Sequence, residues 1–86
     1  MENRDEQLRT ELLETILEYI EGDRTFRSVL TLGITAYNQR PPKDPNIAAV
    51  VSLLNFMGNH ISKGNNYSRE DIKEIFTTML EKLTKG

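Results

Sequence analysis

The sequence predicts an all-α fold, a small antiparallel four-helix bundle with short loops. Apolar residues recur at intervals of three to four positions in four separate segments, which is the spacing of one face of a helix. Proline, glycine and asparagine residues separate these segments, so that the connections between them are short. We therefore expect residues 1–86 to form a single helical domain with helices at about 4–21, 25–39, 45–62 and 68–84.

The first two helices are predicted from an apolar stripe and from their end signals. Glutamates cover the other side of the first helix, and Gly22 is placed to end it in a left-handed cap. The second helix begins near Thr25, where either Asp23 or Thr25 can cap its first amide groups. Its β-branched residues make a strand conceivable, but their spacing and the lack of a second strand favour a helix. Gly33 inside it, like Gly58 inside the third helix, indicates that a neighbouring helix approaches closely.

The third helix is apolar on nearly every side, which is the most informative feature of the chain. It follows a proline-rich break, with Asp44 as its cap and Pro45 at its first position. Such a helix has to be covered all round, so it is predicted to lie at the centre of the bundle. We also expect copies of the chain to associate as a homodimer or a larger oligomer. The residues expected to be covered include Val50, Leu53, Leu54 and Phe56.

The fourth helix has the clearest start signal. Ser68 followed by Asp71 resembles a capping box, in which a side-chain oxygen accepts from a free amide of the first turn. The preceding turn contains Gly64, Asn65 and Asn66, all of which tolerate a positive φ angle and allow the chain to reverse. The apolar face of this helix is predicted to be core and comprises Ile72, Ile75, Phe76, Met79, Leu80 and Leu83.

Charge is distributed unevenly along the chain, although the formal net charge is only −2. Residues 1–23 contain eight acidic and two basic residues, whereas residues 24–43 contain four basic residues and no acidic one. Helices 1 and 2 are expected to lie side by side and to complement each other, although the basic segment could instead meet an anion. No binding to DNA or RNA is expected, because an acidic chain repels nucleic acid at long range.

The sequence offers no chemistry for catalysis or for a cofactor. It has no cysteine and a single histidine, His60, so neither a zinc site nor a catalytic relay is expected. Glutamates 11, 14, 18 and 21 could hold a metal only if they were buried, and a solvated face is the preferred interpretation. The apolar run 47–57 is too short to span a membrane, and residues 1–6 are too charged for a signal peptide. We predict a cytoplasmic, non-enzymatic protein.

Function is therefore expected to rest on binding, and two exposed surfaces are candidates. Both combine aromatic or histidine side chains with groups that form hydrogen bonds, which is a composition typical of recognition surfaces. The first lies at the end of helix 2 and in the proline-rich connection, and the second lies in the polar turn after helix 3. Their residues are Tyr37, Gln39, Arg40 and Lys43 for the first surface, and His60, Lys63, Asn65, Asn66 and Tyr67 for the second.

The arrangement of helices resembles the small immunity proteins of class II bacteriocin producers. The similar segments are residues 11–20 (ELLETILEYI), 28–30 (SVL), 51–56 (VSLLNF) and the turn at 65–68, followed by an amphipathic last helix. This resemblance implies a cytosolic antiparallel four-helix bundle that protects its producer by engaging a toxin-bound membrane permease. It also implies that the C-terminal half provides specificity, around residues 60–68 and along helix 4.

Two functions from different classes follow from these observations. The first is a non-enzymatic protein-binding module, similar to an immunity protein if the resemblance holds. The second is a phage-type counter-defence or inhibitor protein. It would be a helical oligomer that sequesters a small anionic ligand such as a nucleotide, or that blocks a host protein. The residues that suggest an anionic ligand are Arg24, Arg27, Arg40 and Lys43 beside Tyr37.

Overall fold

The computed structural model describes residues 4–85 and shows four α-helices in this part of the chain, with no strand. Residues 1–3 and 86, which the sequence analysis includes in the single domain, lie outside the described residues. The predicted all-α four-helix fold is confirmed, and each predicted helix end lies within one residue of its observed position. The helices are α1 (Arg4–Ile20), α2 (Phe26–Asn38), α3 (Pro45–Ser62) and α4 (Arg69–Thr84).

The starts of α2 and α4 are each fixed by a hydroxyl side chain. The backbone amide of Ser28 donates to Thr25 Oγ1 at 3.2 Å, and the amide of Asp71 donates to Ser68 Oγ at 3.1 Å. Thr25 and Ser68 have extended backbones, with ψ angles of 154° and 159°. Both residues are therefore caps outside the helices, because a capping residue has non-helical backbone angles. The helices that were predicted to begin at these residues begin just after them.

The ends of α1 and α3 are closed by the same glycine motif. Gly22 has a φ angle of +90°, its amide donates to the Tyr19 carbonyl, and the Asp23 amide donates to the Glu18 carbonyl at 2.8 Å. The same pair of backbone bonds closes α3 around Gly64, whose φ angle is +95°. These are Schellman motifs, in which the left-handed residue is usually glycine because it has no Cβ. The predicted cap at Gly22 is thus confirmed.

The start of α3 is held by two carboxylates, one of them distant in sequence. Asp44 caps the helix, with its Oδ1 accepting from the amides of Asn46 and Ile47 at 2.8 and 3.3 Å. Asp5 Oδ2 accepts from the amides of Lys43 and Asp44 at 3.0 and 2.8 Å. Because Asp5 belongs to the first turn of α1, these two bonds attach the proline-rich connection to α1.

The helices follow one another around a ring, so that each packs on the next and α4 returns to α1. Helices α1 and α3 also touch across the middle of the bundle, whereas the backbones of α2 and α4 stay apart and these helices meet through the rings of Phe26 and Phe76. Helices α1 and α3 therefore each contact all three other helices, so α3 shares the predicted central position with α1. The core between the helices contains Leu12, Ile16, Val29, Leu30, Ala36, Ile47, Val50, Val51, Leu54, Met57, Ile72, Phe76, Met79 and Leu83.

The most extensive contact between two helices, that of α2 with α3, depends on two glycines. A Cβ atom at Gly33 would lie 2.7 Å from Leu54 Cδ1 and would also overlap Leu54 Cβ. A Cβ atom at Gly58 would lie 2.7 Å from Ile34 Cδ1. The close approach of helices that these glycines indicate in the sequence is confirmed at both positions.

The prediction that α3 is covered on every side is wrong at one large residue. Val50 and Leu54 are buried and Leu53 is half-buried, but Phe56 is 61% exposed. The three neighbouring helices all pack on the same side of α3, so they leave its opposite side uncovered. Phe56 lies on that uncovered side. Leu17 on α1 is also exposed, at 46%.

Candidate binding surface

The candidate binding residues fall at the two opposite ends of the bundle. Aromatic contacts of Tyr19, Phe26 and Tyr67 bring together the end of α1 and the starts of α2 and α4. We call this the Tyr19 end. The opposite end contains the start of α1, the end of α2 and the connection to α3, which meet at Asp5. We call this the Asp5 end. Helix α2, with 13 residues, separates the two ends by about 20 Å.

At the Asp5 end, the first predicted surface borders an open groove of about 530 Å³. Gln39, Arg40 and Lys43 contribute to its walls, as the sequence predicts for exposed residues of this connection. Acidic side chains from α1 share these walls, so the groove contains both signs of charge. Its lining comprises Arg4, Asp5, Gln7, Leu8, Glu11, Ala36, Gln39, Arg40, Pro41, Pro42 and Lys43.

The structure does not bring the four basic residues of the second segment together. Arg24 and Arg27 lie at the Tyr19 end, whereas Arg40 and Lys43 lie at the Asp5 end. Arg24 also forms an ion pair with Glu18, with 2.7 Å between its Nη2 and Glu18 Oε1. This pair agrees with the interpretation that the acidic first segment and the basic second segment complement each other. Tyr37 is exposed at the end of α2, near Arg40 in sequence but far from Arg24.

At the Tyr19 end, aromatic rings form a continuous cluster that extends from the core to the surface. Phe76 is fully buried, and its ring lies 5.2 Å from that of Tyr19 and 5.9 Å from that of Phe26. Phe26 in turn contacts Tyr67 at 6.4 Å between ring centroids. Edge-to-face and tilted pairs at these distances are favourable, because a positive ring edge meets a negative ring face. The cluster anchors Tyr67, which precedes α4, to three helices.

The outer part of this cluster reaches solvent through His60. The His60 ring lies 5.2 Å from the Tyr67 ring and is stacked on the Phe56 ring at 6.1 Å, with only 13° between the two planes. His60 and Tyr67 are half-buried, whereas Phe56 is mostly exposed. The three rings therefore present partly exposed aromatic surface in fixed positions, because two of them belong to a helix and the third is anchored in the core.

Exposed polar residues surround these rings. The side chain of Asn65 donates to the His60 carbonyl at 3.3 Å, and its backbone amide donates to the same oxygen. Asn65 thus stabilises the end of α3 as well as lying on the surface. Lys63 and Asn66 are exposed. We call the five residues of this region the α3–α4 surface, namely His60, Lys63, Asn65, Asn66 and Tyr67.

The five residues of the α3–α4 surface are close in sequence, but most of the residues that support them are not predicted by any local pattern. Phe56 was assigned to the core, although Ser52 and Asn59 at helical spacing indicate that its side of α3 faces solvent. Phe26 and Tyr19 have no local signal of a role at this surface, because their contacts with Tyr67 and Phe76 depend on the packing of the helices. Asp5 has no local signal either, since its partners Lys43 and Asp44 lie 38 and 39 positions away.

The α3–α4 surface has the composition of a contact surface. Across residues 4–85, no three His, Cys, Asp or Glu side chains lie close enough together to hold a metal ion. In the same part of the chain, no helix combines the length and the apolar character needed to cross a bilayer. Aromatic rings, amides and a single lysine can form apolar contacts and hydrogen bonds with another protein.

Comparison of the chain with protein-family models, with curated proteins and with solved structures finds no match in any of the three. The class of protein is consequently defined by the fold alone, as a small all-α four-helix bundle.

Proposed function

We propose that this protein acts without catalysis, by binding another protein through the α3–α4 surface, in the manner of a bacteriocin immunity protein. The observation that carries the proposal is the aromatic cluster, which holds Tyr67 and His60 partly exposed beside amide side chains. Aromatic residues that are held rigidly lose little conformational entropy on binding, and they dominate the energetics of protein interfaces.

Charge around this surface also favours a protein partner. Residues 45–68 contain no acidic residue and one lysine, although 28% of the whole chain is charged. Depletion of charge together with exposed aromatic rings is typical of the centre of a protein interface. The turn itself is held in place, because the Schellman motif at Gly64 and the cap at Ser68 fix its two sides. A surface that is already ordered needs little rearrangement to bind.

Sequestration of a small anion has less support from the geometry. The groove at the Asp5 end places Arg40 and Lys43 beside Asp5 and Glu11, so that positive potential for an anion is offset by nearby carboxylates. Arg24 and Arg27 lie about 20 Å away at the other end of α2 and cannot contribute to the same pocket. The protein-binding proposal is therefore preferred.

Expression of the chain in bacteria that are sensitive to class II bacteriocins is expected to protect the cells from one or more of these toxins. The Asn66→Glu variant should lose this protection by about tenfold or more in tolerated toxin concentration, because it places a charge in an acid-free surface. Asn66 precedes a helix N-terminus, where an acidic residue is compatible with the fold.

The matched control is Thr31→Glu, which adds the same charge at an exposed position of α2. It should protect as well as the wild-type protein at equal expression, measured by immunoblotting. If the wild-type chain protects against none of a panel of class II toxins, the immunity proposal is wrong. Heat released on titrating the purified protein with a nucleotide would then favour the groove at the Asp5 end.

A further inference from the structure

One side of α3 is exposed along its length and contains no charged residue. Ala49, Ser52, Phe56 and Asn59 follow one another at spacings of three, four and three positions, and all four are exposed. We call these four residues the outer face of α3. Residues 45–62 contain no Asp, Glu, Lys or Arg, whereas the whole chain has eleven basic and thirteen acidic residues. A solvent-exposed helix face in so charged a protein normally has charged side chains.

The outer face of α3 has the shape needed to contact its own copy. Phe56 and Ala49 are seven positions apart, which is about two helical turns or about 10 Å along the axis. If two α3 helices pack antiparallel about a two-fold axis beside Ser52, the Phe56 ring of each copy meets Ala49 of the other. In such an interface each contact occurs twice, and the small alanine leaves space for the ring. Ser52, which is also small, allows the two helices to approach closely at the axis.

We propose that the outer face of α3 is the interface of a homodimer, with a second copy of this chain as its occupant. The lack of charge favours a second copy. A two-fold axis brings each face against an identical face, and two uncharged faces do not repel each other. The outward side of α1 could not do the same, since it exposes Glu11 and Glu14. Like charges would meet there across a two-fold axis. Burial of Phe56 provides the apolar contact that stabilises the pair.

Sedimentation velocity at concentrations up to about 1 mM tests this proposal. The wild-type protein should sediment at twice its chain mass of 9.9 kDa. The Phe56→Glu variant should sediment as a monomer, because two charges would be buried in each dimer. The control is Leu17→Glu, which changes another exposed apolar residue on α1, across the bundle from the outer face. It should remain dimeric, and circular dichroism should show that both variants are folded.

Crosslinking tests the two-fold axis itself. The chain has no cysteine, so a single Ser52→Cys substitution provides the only thiol. Two such thiols beside the axis should form a disulfide-linked dimer in oxidised glutathione, because the bond requires Cα atoms within about 7 Å. Thr10→Cys, which is exposed on α1, should form this dimer at least tenfold more slowly. Equal rates for the two variants, or a wild-type monomer at every concentration, would overturn the proposal. A monomer would not contradict the proposed function, since the protection assay measures binding of another protein through the α3–α4 surface and does not require self-association.

Discussion

Replacing Gly33 with alanine is expected to lower the free energy of unfolding by about 1–3 kcal/mol, despite the better helix propensity of alanine. The added Cβ would overlap Leu54 Cβ, which is fixed to the backbone of α3 and cannot rotate away. Relief would therefore require α2 and α3 to move apart along the most extensive helix contact of the bundle. Urea denaturation monitored by circular dichroism measures this change.

Gly58→Ala is the matched control, because it adds the same methyl group at the same interface. Its Cβ would meet Ile34 Cδ1, the end of a flexible side chain, at 2.7 Å. Rotation of Ile34 relieves that contact, so we expect a change within about 0.5 kcal/mol, or a small gain from helix propensity. Equal stability of the Gly33→Ala and wild-type proteins would show that α2 and α3 are farther apart than in this structure.

Replacing Phe76 with alanine should cost about 3–5 kcal/mol, which is a large part of the total stability of a small domain. Its side chain is fully buried, and its ring contacts those of Tyr19 and Phe26. Truncation would leave a cavity between α1, α2 and α4 and remove two aromatic pairs. It should also loosen Tyr67, which is linked to Phe76 through Phe26.

Two further variants make the Phe76 experiment decisive. Phe76→Leu keeps most of the apolar volume and should lose less than half as much stability, so it can be measured if the alanine variant is unfolded. Tyr37→Ala removes an aromatic ring that is 49% exposed at the end of α2 and should change stability by less than about 1 kcal/mol. If Phe76→Ala is no more destabilising than Tyr37→Ala, the aromatic cluster is not part of the core.

Local patterns were sufficient to predict the helices and their ends. The caps at Thr25, Asp44 and Ser68 and the glycine termination at Gly22 each depend on residues within five positions of one another. Such short-range interactions determine where helices start and stop, so the sequence alone reveals them. The close helix contact at Gly33 was also predictable, because a glycine inside a helix costs stability unless packing requires it.

Features that depend on the relative position of helices could not be predicted in the same way. Phe56 was assigned to the core because α3 is so apolar, and only the packing of its neighbours shows which side remains uncovered. Residues 24–43 contain four basic residues close together in sequence, yet the length of α2 places them at opposite ends of the bundle. The attachment of Asp5 to the proline-rich connection likewise joins residues that no local pattern relates.

Hydroxyl-radical footprinting directly measures the division of α3 into a covered face and an uncovered outer face, which is the central feature of this bundle. The experiment uses the Ala49→Glu variant, which we expect to be monomeric, so that no second copy covers Phe56. Phe56 should be modified, whereas the adjacent Met57, which is fully buried, should be protected although methionine is intrinsically reactive. Rapid oxidation of Met57 in the folded protein, or protection of Phe56 in the monomer, would contradict the account.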